Sequence, residues 1–227
     1  QKAGVYYVVV PADVKLSVYN GNTLIKATKA GGLTAGKYYT LKTGDVDGEE
    51  DATIDGVVVK KKWVQLWPGG PKFAKENVAK TLDWSEATAE GSAYVWGANW
   101  RTPTKEEMNF VNTVKDSNNE HSNLLIPLNA KAEIQVQDGK AGILYTGIQP
   151  GYTDKSIFLP FDGEGSSFSG NYWTSTKGIE GYGTTLDVIC GEGIFYVYFF
   201  NDKGNFNTKY SVRPVLEIGR ASCRERV

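Results

Sequence analysis

The sequence predicts an α+β protein: part of an all-β sandwich, then a twisted antiparallel sheet flanked by two helices, with long loops gathered at one end. Three observations carry this expectation. Aromatic residues make up 12% of the 227-residue chain beside 26 glycines, which suits β-rich structure with tight turns. Short runs of alternating apolar and polar residues recur along its length, the period of half-buried strands. Only two stretches carry helix-start signals. They are residues 83–90, with Asp83 ahead of Glu86 and Gly91 beyond the end, and about 104–115, with Thr104 ahead of Glu107. Both have the capping-box spacing, in which each side chain satisfies a free N–H at the helix start.

In chain order, residues 5–10 (VYYVVV) form an apolar run stopped by Pro11. Val14, Leu16 and Val18 then alternate with polar neighbours, and Asn20-Gly21-Asn22 signals a hairpin returning over 24–28. Residues 37–41 make a further strand. So few strands make only part of a sandwich, assigned to 1–43. The acidic stretch 44–56 (GDVDGEEDATIDG) has few large apolar residues and reads as an exposed linker. A calcium loop fits it poorly: the glycine follows Asp45 too early and no glutamate closes the loop. A second domain spans 57–217. It opens with a strand over 57–59 and the two-sided run Trp63, Gln65, Trp67, ended by Pro68-Gly69-Gly70-Pro71. After the first helix, Trp96 to Met108 (WGANWRTPTKEEM) forms a rigid corner with Trp96 and Trp100 as core anchors. The second helix would turn Met108, Val111 and Val114 inward. Asp138-Gly139 joins two strands as a hairpin. Strands follow over 172–176, 185–190, 194–200 and 210–216.

The same residues carry a family resemblance. WGANWRTPTKEEM, NYWTST (171–176) and YSVRPVL (210–216), with WVQLWPGGPKFAKENVA (63–79) ahead of them, resemble in order the motifs of the Fibrobacter-type major paralogous domain of bacterial surface proteins. That resemblance implies a C-type-lectin-like fold over 57–217 and a place on the extracellular side of a cell surface or outer membrane. Val10-Pro11-Ala12, Lys15-Leu16-Ser17 and residues 33–41 resemble the end of a fimbrillin-like sandwich domain. The tail 218–227 is similar to a translated sequencing adapter and is set aside as non-native. Cys223 falls in it, which leaves Cys190 without an intrachain disulfide partner in an apolar strand, a buried small hydrophobe.

Nothing in the sequence has the pattern of catalysis. The single histidine, His121, lies in a polar loop, so no triad has its base. Zinc would want several Cys or His ligands, and no phosphate-cradling glycine loop occurs. A net charge of −1 points to no nucleic acid. No apolar run is long enough to span a membrane as a helix. The carboxylates Asp162, Glu164, Asp187 and Asp202 read as solvated loop groups rather than a glycosidase pair. Loops rich in Tyr, Asn and Gly instead suit binding. The resemblance places ligands on the long-loop end, and the candidates there are Tyr172, Tyr182, Asn201, Asp202, Asn205 and Phe206. Phe200-Asn201-Asp202 faintly resembles a lectin calcium segment, which makes Asp162, Glu164 and Asp202 an alternative calcium set; otherwise no cofactor is implied. The expected function is a non-catalytic surface adhesin contacting a glycan or protein on a host or neighbouring cell. The alternative is an accessory or structural subunit of a fimbria-type assembly, bound to fimbrial subunits through an open sheet edge.

Overall fold

The computed structural model describes residues 17–20, 23–27, 46–115, 123–161, 167–191 and 194–217. The chain divides into two compact units, Gln1–Asp45 and Val46–Val227. In the first, β1 (Ser17–Asn20) pairs antiparallel with β2 (Thr23–Ala27), and Asn20 stands opposite Thr23 across the predicted turn. The strands expected at 5–10 and 37–41 lie outside the described residues, as do His121, the tail and the motif residues before Ser17.

The second unit opens with β3 (Asp47–Ile54), β4 (Val57–Gln65) and β5 (Lys72–Ala74), followed by α1 (Trp84–Thr88) and a 3-10 turn at Ala93–Val95. Next come β6 (Trp100–Arg101), β7 (Val111–Lys115), β8 (Asn123–Pro127), β9 (Ala130–Gln137), β10 (Lys140–Gly147) and β11 (Ser156–Pro160). The last strands are β12 (Ser167–Lys177), β13 (Tyr182–Gly191), β14 (Ile194–Asn205) and β15 (Val215–Leu216). They form sheets ordered β3-β4-β5-β15-β6, β11-β10-β9 and β12-β13-β14, and a β7-β8 hairpin, all with antiparallel pairing.

The expected α+β class is therefore corrected. The protein is mostly β, with several antiparallel sheets, one of them curled into a half-barrel, and one short helix among the described residues. That helix, α1, forms where expected. Glu86 N–H donates to Asp83 Oδ1 at 2.9 Å and Asp83 N–H to Glu86 Oε2 at 3.1 Å. The second helix does not form, and with it goes the two-helix, C-type-lectin-like arrangement. Its capping bonds are made: Thr104 N–H donates to Glu107 Oε2 at 2.8 Å and Glu107 N–H to Thr104 Oγ1 at 3.3 Å. They hold one turn, and the chain then leaves as β7. The reason is a competing period. Met108 and Phe110 are both buried, Val111 follows them inward while Asn112 is exposed, and Thr113 Oγ1 donates to Val197 C=O at 2.6 Å. A neighbouring strand offers these β-branched residues more than a second helical turn does.

The supposed linker is also corrected. Its residues 47–54 are β3, paired with β4 across a turn at Asp55-Gly56, whose φ values of 49° and 79° are those of a primed hairpin turn. Its acids meet lysines in register: Glu49 faces Lys62, Glu50 faces Lys61, and Asp51 faces Lys60 with Nζ–Oδ1 at 2.6 Å. Trp100 Nε1 donates to Asp51 C=O at 2.8 Å. Trp96 and Trp100 are buried as expected, with rings 5.2 Å apart and edge-on.

The corner after Trp100 is locked by charge. Arg101 forks onto Glu107 with Nη1–Oε2 at 2.7 Å and Nη2–Oε1 at 2.6 Å, and its Nε meets Glu217 at 2.5 Å. Burial raises the Glu107 pKa, but Arg101 and the Thr104 N–H outweigh it and hold the carboxyl below its ordinary 4.5. A lowered carboxylate pKa stabilises the fold above the unfolded value and stops doing so as pH falls through the folded one. Glu107→Gln is thus expected to cost roughly 1 kcal/mol at pH 7. The gap from the parent should close towards pH 3, as read from urea midpoints at the two pH values.

Candidate functional site

The sheet β12-β13-β14 packs one face on the main core; its other face is covered at Trp173, Thr185 and Asp187, which are fully buried, and reaches solvent around Tyr198. Tyr172, Leu186, Val188 and Val197 lie on the inner face and belong to the main core. Strand alternation places Tyr196, Tyr198 and Phe200 on the opposite face of β14. Tyr196 and Tyr198 are stacked at 5.6 Å, and Tyr198 and Phe200 meet edge-on at 6.0 Å. Tyr198 is 36% exposed and its two neighbours are half-buried. In register, Tyr198 stands opposite Asp187, and Asp187 opposite Asn171. An aromatic strip thus lies beside Asn171, with the fully buried Asp187 beneath it. Sequence reasoning missed it, although the i, i+2, i+4 spacing of aromatics within FYVYFF (195–200) was its signal.

β14 leads from this strip into the expected loop end. Ile179 N–H donates to Asn201 C=O at 2.9 Å, Gly178 N–H to Tyr182 C=O at 3.0 Å and Phe206 N–H to Gly181 C=O at 3.3 Å. Tyr182 pairs with Asn205, whose Oδ1 accepts the Asn207 N–H at 3.0 Å and fixes the turn. Asn201, Asn205 and Asn207 are exposed and Tyr182 is half-buried. The Phe206 ring stacks on Trp84 of α1 at 4.7 Å. Here Gly183 and Gly204 are obligatory: a Cβ on Gly183 would sit 2.2 Å from Trp84 Cδ1, and one on Gly204 2.4 Å from Trp173 Cη2.

The structure therefore brings Tyr182, Asn201, Asn205 and Phe206 together. Asp202 is on the same strand, but its side chain is outside the described residues, as are Asp162 and Glu164. Among the described residues no group of three or more His, Cys, Asp or Glu converges on a point that could hold a metal. Two expectations are corrected. Tyr172 is fully buried; its hydroxyl donates to Pro160 C=O at 2.6 Å and accepts from Asn77 Nδ2 at 3.1 Å, so it is a core residue. Asp187 is fully buried in β13 rather than solvated on a loop.

A separate cavity of about 620 Å³ lies between the end of α1 and the Trp100 corner, lined by Thr88, Glu90, Arg101, Ser175 and Glu217 among others. Among the described residues Arg101 is the one cation lining it, and its fork is already committed to Glu107 and Glu217. The described lining thus sets this paired arginine beside the carboxylates of Glu90 and Glu217 and the hydroxyls of Thr88 and Ser175. Comparison of the chain with protein-family models, curated proteins and solved structures found no match.

Proposed function

We propose that this chain is a non-catalytic binding module of a cell surface, an adhesin that holds a glycan along the aromatic strip and adjoining loop end of β14. The observation that supports this most is the strip itself. The rings of Tyr196 and Tyr198 are near parallel with centroids 5.6 Å apart, and Phe200 meets Tyr198 edge-on at 6.0 Å. Apolar sugar faces stack on such rings, while amides serve their hydroxyls. Asn201 and Asn205 stand exposed at the end of the same strand. Short turns pinned by backbone hydrogen bonds keep the ordering cost of binding low. The surface location follows from the motif resemblance and completes the reading: a host or neighbouring cell would carry the ligand.

A glycan array probed with the full chain, with calcium and again with chelator, tests this. Binding that survives the chelator is the expected result. Tyr198→Ala should then weaken it about tenfold, the worth of one stacked ring, and Asn205→Ala or Tyr182→Ala should weaken it without unfolding. Failure of a folded sample to bind any glycan, or unchanged affinity in Tyr198→Ala, overturns the assignment.

A further inference from the structure

The three-stranded sheet β11-β10-β9 has two edges, and the protein treats them differently. Hydrogen bonding fixes which backbone groups face each edge. Phe161 N–H donates to Ala141 C=O at 2.8 Å and Gly147 N–H to Lys155 C=O at 3.0 Å. Odd-numbered residues of β10 therefore bond towards β11, and Gly142 and Leu144 bond towards Gln135 and Glu133 of β9. On the far side, the outward carbonyls of Phe158 and Pro160 are closed by Arg213 Nη2 and the Tyr172 hydroxyl. On the β9 side, the N–H and C=O groups of Ala132, Ile134 and Val136 point away from β10. No strand pairs with them among the described residues. The side chains of this stretch extend the sheet's apolar face into solvent. Ile134 stands opposite buried Ile143 yet is 47% exposed, and Val136 is 70% exposed.

We propose that β9 is a self-pairing edge: two copies of the chain join antiparallel through Ala132–Ile134–Val136 about a two-fold axis at Ile134. This goes beyond the glycan-binding reading and does not depend on it. The register follows from the residues. Ala130 N–H is already donated to Phe110 C=O at 3.1 Å, which ends the free stretch and centres the axis on Ile134. Ile134 then faces Ile134 of the second copy, and Ala132 faces Val136, so every cross-strand pair on the exposed apolar face is apolar. On the other face Glu133 meets Gln135 and Lys131 meets Gln137. No like charges oppose each other, the arrangement that would forbid pairing. All the outward groups of the three residues find partners, which removes the open edge that natural sheets otherwise have to protect. Such an isologous contact closes on itself and stops at the dimer.

The test is mass by light scattering during size exclusion, over a concentration series of the full chain. A dimer is expected for the parent. Ile134→Lys and Ile134→Glu should each run as monomers, because a like charge then faces itself at the axis; an equimolar mixture of the two should recover the dimer. Amide exchange supplies a second readout that needs no variant. Ala132, Ile134 and Val136 should gain protection as concentration rises, whereas Glu133 and Gln135 are protected throughout. A parent monomeric at every concentration, a dimer indifferent to Ile134→Lys, or alternate-residue protection that does not depend on concentration would each overturn the proposal. Should a variant fail to fold, the exchange pattern of the parent decides.

Discussion

Trp173→Ala is expected to cost about 3–5 kcal/mol, the range for removing a large buried aromatic side chain. Trp173 is wholly buried and joins Leu82, Ala87, Val95 and Val212 in a core beneath α1, with the Tyr210 ring edge-on at 4.8 Å. Its Nε1 donates to Leu82 C=O at 2.7 Å, so alanine also removes one of that carbonyl's two donors, leaving the Tyr210 N–H at 3.0 Å. The ring fits only because Gly183 and Gly204 have no side chain where it lies. Against a typical domain stability of about 5–15 kcal/mol, the loss is severe, and the urea midpoint should fall accordingly. Gly204→Ala attacks the same contact from the other side and should cost about 1–3 kcal/mol by overpacking. A midpoint for Trp173→Ala within error of the parent would mean that the indole does not organise this core.

Arg213 should show the second large effect. It is 1% exposed, and it donates Nη1 to Ala74 C=O at 3.0 Å and Nη2 to Phe158 C=O. One side chain thus ties β5 to the outer edge of β11. Burial pulls its pKa down to about 10, against smaller opposing contributions from Tyr172 and Glu76. It stays charged at neutral pH. Because its folded pKa lies below the unfolded one, its burial cost is constant below about pH 10 and is relieved only above it, so Arg213 adds no pH dependence to stability between pH 5 and 9. Lysine keeps the charge but cannot fork to both carbonyls. Arg213→Lys should therefore cost about 1–3 kcal/mol, the cost of one orphaned buried acceptor, and Arg213→Ala more than that. Equal urea midpoints for Arg213→Lys and the parent would show that the charge alone matters and the fork does not.

Some of this architecture was legible because neighbours in sequence decide it. The Asp83–Glu86 cap made α1, and Asp138-Gly139 made the turn between β9 and β10, with φ values of 49° and 76°. The strands of the last sheet showed in their alternation. The Asp55-Gly56 turn carried the same local signal, but the acidic run around it obscured β3, whose acids stand opposite lysines only once β4 lies alongside.

Of the binding face, Tyr182, Asn201, Asn205 and Phe206 were legible as loop residues, while the β14 strip was hidden by treating FYVYFF only as strand. Tyr172 has the composition of a binding residue, yet Asn77, distant in sequence, and Pro160 claim its hydroxyl. The sequence by itself determined the turns, the helix cap and the strand periods, since each is a contest among groups a few residues apart. Only the tertiary structure decided whether Thr104 to Lys115 ran on as helix, where the acidic strand found its lysines, which aromatics faced outward and which sheet edge stayed open. Those outcomes rest on the carbonyls of Val197, Pro160 and Phe158, partners that no local pattern names.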